Sequence, residues 1–142
     1  EIPEVLQTFR EAGFHQIVVS NHQQDLLVTE IDNAGLSGFF DIISGRHGED
    51  EIFEKTTKAD RIITSVKKLE QLTKQNFEHI FLIGDSPEEA RIRDEVLKSG
   101  LTIRSIGFNG GFSTPDVMDR AGHDKIVHHA CEIVKVVETI RH

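Results

Sequence analysis

Two kinds of segment alternate along the sequence, and this alternation is the feature that most constrains the fold. Short apolar, β-branched runs favour strands, whereas apolar residues spaced three to four positions apart favour helices. The predicted strands are residues 15–20, 41–44, 79–83, 102–107 and 125–127. The predicted helices are residues 3–12, 23–34, 60–72 and 87–99, a short one opened by Thr114–Pro115, and a last one running through Val137. Residues 45–57 are polar and aperiodic, which predicts a loop.

Repeated strand–helix units with nearly continuous apolar strands predict an α/β fold. Such strands form a parallel sheet, and right-handed crossovers place the connecting helices over its faces. The predicted architecture is therefore a doubly wound, Rossmann-like parallel sheet with helices on both faces. No linker, low-complexity tract or internal repeat is visible in the sequence, so we expect one domain over residues 1–142.

Charge and cysteine content exclude several kinds of partner. The 16 basic and 24 acidic residues give a formal net charge of −8, which repels phosphate backbones and anionic lipids. We therefore expect no nucleic acid and no membrane as partners. Cys131 is the only cysteine of the sequence, which excludes an internal disulfide and favours a reducing, cytoplasmic compartment. We expect Cys131 to be a small buried residue and the eight histidines to lie at the surface.

Polar residues follow the predicted strands, at the edge of the sheet where ligands of doubly wound folds bind. Ser20, Asn21 and His22 come at the end of the first strand, Asp85 follows the third, and the glycine-rich residues 107–111 end the fourth. Hydroxyl and backbone N–H groups bind phosphate oxygens, and a carboxylate binds Mg²⁺. The residues therefore indicate phosphate chemistry. A plainer interpretation is that Ser20 and Asp85 each cap the helix that follows.

Three segments carry a more specific resemblance. IPEVLQTFREAGFHQIVVSN (residues 2–21) ends in a hydroxyl-bearing motif at Ser20, FLIGDSPEEA (residues 81–90) is an acidic motif, and KADRIITSVKKL (residues 58–69) begins with a lysine. In this order they resemble the second motif, the acidic fourth motif and the lysine region of the haloacid dehalogenase-like (HAD) superfamily. The similarity is to its phosphoglycolate-phosphatase-like branch and runs through nearly the whole chain.

The resemblance implies a Mg²⁺-dependent hydrolase of small phosphomonoesters that works through an aspartyl-phosphate intermediate. It implies that Ser20 hydrogen-bonds the phosphoryl group, with Asn21 beside it in the substrate site. Lys58 would balance the phosphoryl charge, and Lys55 is an alternative for that role. Asp85 would hold Mg²⁺. The partner would be a small phosphorylated metabolite, which the family's cap domain largely selects.

Two departures from the family pattern matter. Glu89 stands where the fourth motif often has a second aspartate, so we expect it to bind Mg²⁺ directly or through water. The D-x-D-x-T motif that carries the family's nucleophile occurs nowhere in the 142 residues. We therefore expect the nucleophile strand and cap to be missing and this chain alone to be inactive. Without that strand its neighbours, residues 15–20 and 79–83, would lie about 10 Å apart. We expect an N-terminal segment to fill the slot, and the alternatives are a strand inserted by a partner molecule and direct pairing of the two strands.

Two non-enzymatic hypotheses stay open. The first is a non-catalytic α/β binding module that keeps an anion or Mg²⁺ site without turnover. The second is a regulatory receiver-like domain, which shares the doubly wound architecture. The receiver hypothesis is the weaker one, because the usual paired acids after a first strand are missing.

Overall fold

The computed structural model describes residues 2–47, 57–108, 118 and 120–141. The chain divides into two compact units, here called the N-terminal unit (residues 6–76) and the C-terminal unit (residues 1–5 and 77–142). Helices and strands alternate along the described residues, and every described strand pairing is parallel. The predicted α/β class, with parallel strands and helices packed on them, is confirmed.

The N-terminal unit is built around a two-stranded parallel sheet. Its elements are the part of α1 (Ile2–Glu11) from Leu6 onward, β1 (Ile17–Gln23), α2 (Gln24–Asn33), a short 3-10 helix (Ser37–Phe39), β2 (Ile42–Arg46) and α3 (Lys58–Thr73). Helices α2 and α3 both pack against β1 and β2. They bury apolar side chains at four-residue or three-residue spacing, namely Leu27, Ile31, Ile62, Val66 and Leu69. This periodicity is why the segments are helical.

The C-terminal unit contains a three-stranded parallel sheet in the order β3-β4-β5. Its elements are β3 (Ile80–Gly84), α4 (Glu88–Leu97), β4 (Ile103–Phe108), β5 (Lys125–Val127) and α5 (Ala130–Arg141). The central strand β4 is the most buried, because a paired strand flanks it on each side. Helix α4 packs against β3 and β4, and α5 packs against β5. The fully buried apolar side chains of this unit include Val96, Ile106, Met118, Val127 and Val137.

Most element boundaries differ from the sequence prediction by one to three residues. β1 begins at Ile17 rather than at residue 15, because the N–H of Gln16 is bound by the carboxylate of Asp41 instead of by a strand partner. β1 also continues to Gln23, three residues beyond its predicted end. The last helix continues to Arg141, beyond the predicted end at Val137.

Some burial predictions were wrong. The apolar spacing of the predicted helices 23–34 and 60–72 places Leu26 and Leu72 on buried faces, but they are 61% and 69% exposed. Leu26 directly precedes the buried Leu27, so it points about 100° away from the packed stripe. Cys131 is exposed rather than buried, because the buried stripe of α5 runs through Ala130, Ile133 and Val137.

Some predictions fall outside the described residues. These are residues 109–111 of the glycine-rich segment 107–111, the start of the helix opened by Thr114–Pro115, and residues 48–56 of the predicted loop. Of the described part of that loop, Gly45 and Arg46 belong to β2, His47 lies in neither a strand nor a helix, and Thr57 caps α3. Among the described helices, none has the length and apolar character needed to cross a membrane.

Candidate functional site

Ser20 lies on an irregular stretch of β1 in the N-terminal unit. Between Val19 and Gln23 the pairing advances four residues on β1 but only two on β2. Within this bulge the Ser20 hydroxyl accepts a hydrogen bond from the backbone N–H of His22, with 3.1 Å between nitrogen and oxygen. Bulges re-aim side chains and are frequent beside active sites. Among the described residues none accepts the O–H of Ser20, so this hydroxyl can donate to an anion.

Arg61 joins the first part of α3 to the end of β1. Its Nη2 donates to the carbonyl oxygen of Ser20 at 2.9 Å and to Oδ1 of Asn21 at 2.8 Å. The side chain of Arg61 is buried, where charge-assisted hydrogen bonds are stronger than neutral ones. Because Asn21 uses its oxygen as the acceptor, its exposed NH₂ group remains as a donor. The structure thus brings Ser20, Asn21 and the start of α3 together.

Lys58 is the first residue of α3 and is half-buried. The hydroxyl of Thr57 accepts the N–H of Asp60, and the carboxylate of Asp60 accepts the N–H of Thr57, each at 3.1 Å. This capping box fixes where the helix begins and therefore where Lys58 lies. Lys58 precedes Arg61 by about one helical turn, on the part of α3 that reaches the end of β1. The alternative lysine, Lys55, lies outside the described residues.

Asp85 directly follows β3 in the C-terminal unit, where the sequence predicted it. The residue is exposed, and it makes no hydrogen bond or ion pair with another described residue. A carboxylate in this state is available to a cation. Mg²⁺ needs only one or two protein carboxylates, because it keeps several of its waters. Asp85 therefore fits one ligand position of a magnesium site.

The helix-capping interpretation was wrong for both Ser20 and Asp85. Helix α2 is capped by Gln23, whose side-chain oxygen accepts the N–H of Leu26 at 3.0 Å. At the start of α4 it is the hydroxyl of Ser86 that accepts the N–H of Glu88, at 3.1 Å. Both predicted site residues therefore lie near helix starts without serving as caps.

Glu89 is buried and holds the residue after Asp85. Its Oε2 accepts hydrogen bonds from the backbone N–H of Ser86 at 3.1 Å and from the Ser86 hydroxyl at 2.9 Å. Its carboxyl group also lies against the backbone of Gly84, so closely that a Cβ on that glycine would overlap Glu89 Cδ. The structure thus assigns one oxygen of Glu89 to the turn that carries Asp85. Ligation of metal by Glu89 stays a prediction.

His123 is half-buried and hydrogen-bonded through both ring nitrogens, so its predicted surface position was wrong. Nε2 lies 3.0 Å from the carbonyl oxygen of Ser86, and Nδ1 lies 3.0 Å from Oγ of Ser105. A carbonyl oxygen only accepts, so Nε2 carries the hydrogen of the bond to Ser86. A serine–histidine pair is also the arrangement of a nucleophile and its base. Ser105, however, is 0% exposed, which keeps it from any substrate.

Arg93 completes this network on the far side of Ser105. Its Nη1 donates to Ser105 Oγ at 3.1 Å, to the carbonyl oxygen of Gly122 at 2.8 Å and to Asp124 Oδ2 at 3.1 Å. Burial acts to lower the pKa of Arg93, but the hydrogen bonds and charges of Asp124 and Asp94 outweigh it and raise that pKa above its ordinary value. Asp124 also accepts the backbone N–H of Ser105 at 2.8 Å. Arg93 is therefore a permanently charged anchor of the strand β4.

Sequence reasoning missed Arg61 and the network of Arg93, Ser105 and His123. Arg61 had a signal, because a charged residue beside Ala59 and Ile62 interrupts an apolar stripe of α3. His123 had none, since its partner Ser86 is 37 residues away in the sequence.

The predicted site residues divide between the two units. Ser20, Asn21 and Lys58 belong to the N-terminal unit, and Asp85 and Glu89 belong to the C-terminal unit. Within the described ranges, no group of three or more His, Cys, Asp or Glu residues is arranged to hold a metal ion. Among these residues Asp85 therefore belongs to no such group, and its binding of a metal stays a prediction.

Comparisons with known proteins identify the fold. No protein-family model matches the sequence, and no curated protein matches it. Among solved structures, a predicted phosphatase from Clostridium acetobutylicum is 24% identical with a TM-score of 0.77, and the match covers 97% of this chain and 58% of that one. A haloacid dehalogenase-like family hydrolase from Streptococcus pneumoniae is 18% identical with a TM-score of 0.69, covering 94% and 56%.

A third similar structure points the same way. A predicted phosphoglycolate phosphatase from Haemophilus somnus is 17% identical with a TM-score of 0.73, and the match covers 94% of this chain and 54% of that one. The chain therefore spans somewhat more than half the length of these proteins. Its fold is that of the HAD-like hydrolases, as the sequence motifs predicted.

Proposed function

We propose that this chain forms the core of a Mg²⁺-dependent hydrolase of small phosphomonoesters, with the nucleophile supplied by residues outside the 142-residue sequence. Asp85 is the observation that carries the proposal. It is an exposed carboxylate without a described partner, directly after a parallel strand of a HAD-like fold. The nucleophile is assigned elsewhere because no D-x-D-x-T motif occurs in the sequence.

The residues of the N-terminal unit support the phosphate part of the proposal. The Ser20 hydroxyl and the Asn21 NH₂ group are donors of the kind that bind phosphoryl oxygens, and Arg61 holds both residues in place. Lys58 would supply positive charge beside them from the first turn of α3. Preorganised donors and charges of this type stabilise the charge that develops during phosphoryl transfer.

The proposed reaction has two steps. In the first, a carboxylate oxygen of the external aspartate bonds to phosphorus while the bond from phosphorus to the ester oxygen breaks, and the ester oxygen takes a proton from water and leaves as the alcohol. In the second, water attacks the phosphorus, which releases inorganic phosphate and restores the carboxylate. Mg²⁺, when bound, would neutralise charge on the phosphoryl oxygens. Asp85 is the residue of this chain that would hold it.

A Mg²⁺ titration of the 142-residue protein, followed by backbone amide shifts, tests the role of Asp85. We expect weak Mg²⁺ binding, because the external aspartate is absent from this protein. The largest amide shifts should occur at residues 84–89, which surround Asp85. Asp85→Asn should remove the response, while Asp32→Asn, which changes an exposed aspartate of α2, should leave it intact. A response of equal size in wild type and Asp85→Asn would contradict the assignment.

Hydrolysis of para-nitrophenyl phosphate separates the enzyme from a non-catalytic binding module. We expect no turnover above the buffer rate by this chain. A version extended upstream through a D-x-D-x-T motif should turn over with Mg²⁺ and should lose activity on Asp85→Asn. An extended version that binds Mg²⁺ without turnover would favour the binding module. Turnover by the 142-residue chain itself, abolished by Asp85→Asn, would refute the external nucleophile.

A further inference from the structure

Ser86, the residue after Asp85, is held by side chains at three of its polar groups. Glu89 Oε2 accepts its backbone N–H and its hydroxyl, and His123 Nε2 donates to its carbonyl oxygen. The two side chains come from different elements, since Glu89 lies in α4 and His123 lies in the segment before β5. Because both the N–H and the carbonyl oxygen of Ser86 are hydrogen-bonded, the backbone of the preceding residue, Asp85, has little freedom to move.

The bond from His123 to Ser86 is directional, because the carbonyl oxygen of Ser86 can only accept. His123 Nε2 therefore carries the hydrogen of this bond. On the other side of the ring, Nδ1 lies 3.0 Å from Ser105 Oγ, which also accepts a hydrogen bond from Arg93. A chain of hydrogen bonds therefore connects the Arg93 guanidinium, through Ser105 and His123, with the turn beside Asp85.

Two paired glycines provide the space for these side chains. Gly84 and Gly107 face each other in the register of β3 and β4. The carboxyl group of Glu89 occupies the position where Gly84 would carry a Cβ, and the ring of His123 does the same at Gly107, where a Cβ would lie 2.7 Å from Cδ2. Glu89 and His123 thus contact β3 and β4 at the same register position, directly before the turn that carries Asp85.

We propose that His123 and Glu89 are positioning residues that fix the backbone of Asp85 by holding Ser86 from opposite sides. This inference rests on the proposed function in one respect, namely that Asp85 serves as a cation ligand. Because Glu89 Oε2 is occupied by the N–H and hydroxyl of Ser86, Glu89 acts on the site through the turn. A strict octahedral cation such as Mg²⁺ gains most from a carboxylate whose position is set in advance.

Two substitutions of His123 separate its hydrogen bond to Ser86 from its remaining contacts. His123→Gln keeps a donor near the position of Nε2, whereas His123→Asn keeps a polar group only near the position of Nδ1. The first readout is amide hydrogen exchange of Ser86 in the 142-residue protein without metal, with the amide of Ile133 in α5 as an internal control for global destabilisation. The second readout is the Kd for Mg²⁺ from the amide shifts of residues 84–89.

We expect His123→Asn to speed exchange at Ser86 about tenfold, while Ile133 changes less than about twofold. Losing the hydrogen bond to the Ser86 carbonyl oxygen loosens the turn and so exposes the Ser86 N–H that Glu89 holds. The same variant should weaken Mg²⁺ binding several-fold, and His123→Gln should stay within about twofold of wild type in both readouts. The inference is overturned if His123→Asn matches wild type at Ser86, or if His123→Gln behaves like His123→Asn.

Two further arms keep the inference testable on its own. The ¹⁵N shifts of the His123 ring in the wild-type protein report which ring nitrogens carry hydrogen, so an Nε2 without hydrogen would overturn the inference even if both variants fail to fold. Glu89→Gln keeps an acceptor oxygen for Ser86, so Mg²⁺ affinity should stay within about threefold of wild type, and a loss above about tenfold would show direct ligation instead. If wild type gives no Mg²⁺ response, the proposed function fails, while the exchange readout still decides whether His123 holds the turn.

Discussion

Gly107→Ala should show how tightly the ring of His123 is packed against the end of β4. A Cβ at residue 107 would lie 2.7 Å from His123 Cδ2 and 2.8 Å from Met118 Cε. The terminal methyl of Met118 can turn aside, but the imidazole must retreat by about 0.7 Å to reach ordinary van der Waals contact, about 3.4 Å. That movement stretches both of its hydrogen bonds, each 3.0 Å long.

The expected loss of stability follows from these distances. Overpacking of a filled site costs about 1–3 kcal/mol, and weakening two buried hydrogen bonds adds about 1 kcal/mol, so we expect Gly107→Ala to lower the free energy of unfolding by about 2–4 kcal/mol. Urea denaturation should show a lower midpoint with an unchanged slope. Gly38→Ala is the matched control, because its Cβ would meet only Arg10 Nη1, at 3.7 Å, and it should stay within about 0.5 kcal/mol of wild type.

A double-mutant cycle assigns the loss to His123. If the ring is the obstacle, His123→Ala makes room for the new methyl group, and Gly107→Ala should then cost less than about 1 kcal/mol in that background. Two results would refute the reasoning: a cost below about 1 kcal/mol for Gly107→Ala alone, or full additivity of the two substitutions.

Three further substitutions test other parts of the structure. Thr57→Ala removes one half of the capping box of α3 and should lower stability by about 1 kcal/mol, so an unchanged thermal midpoint would contradict the assigned cap. Arg61→Met should cost about 2 kcal/mol and shift the side-chain amide of Asn21, whereas Lys67→Met on the exposed face of α3 should do neither. Arg93→Met should cost about 2 kcal/mol through its lost hydrogen bonds to Ser105, Gly122 and Asp124. The pKa of Arg93 is raised, so its stabilisation is complete below its unfolded pKa and is lost only as the pH rises through the folded value. The cost should therefore be equal at about pH 6 and about pH 9 in denaturation curves, and a marked difference between them would count against Arg93 as a constant charge.

The sequence by itself determined the kind and order of the elements. Apolar spacing distinguishes helices from strands because a helix buries one face and a strand of this fold buries most of its residues. Both kinds of burial leave a pattern within a single short segment of the sequence. For the same reason the position of Asp85 was predictable, since it directly follows an apolar strand and stands in a recognisable acidic motif. The motifs at Ser20 and Asp85 also predicted the HAD-like fold that the solved structures show.

The tertiary structure alone decided how the site residues are held. The bulge at Ser20 depends on the register between β1 and β2, and the partner of Arg61 at Ser20 lies 41 residues away in the sequence. His123 joins Ser105 and Ser86, which are 18 and 37 residues distant. Such contacts depend on which strands become neighbours and at what register, and a single sequence carries no local pattern for either. Tertiary packing also decided that Cys131 is exposed, because a different stripe of α5 packs against the core.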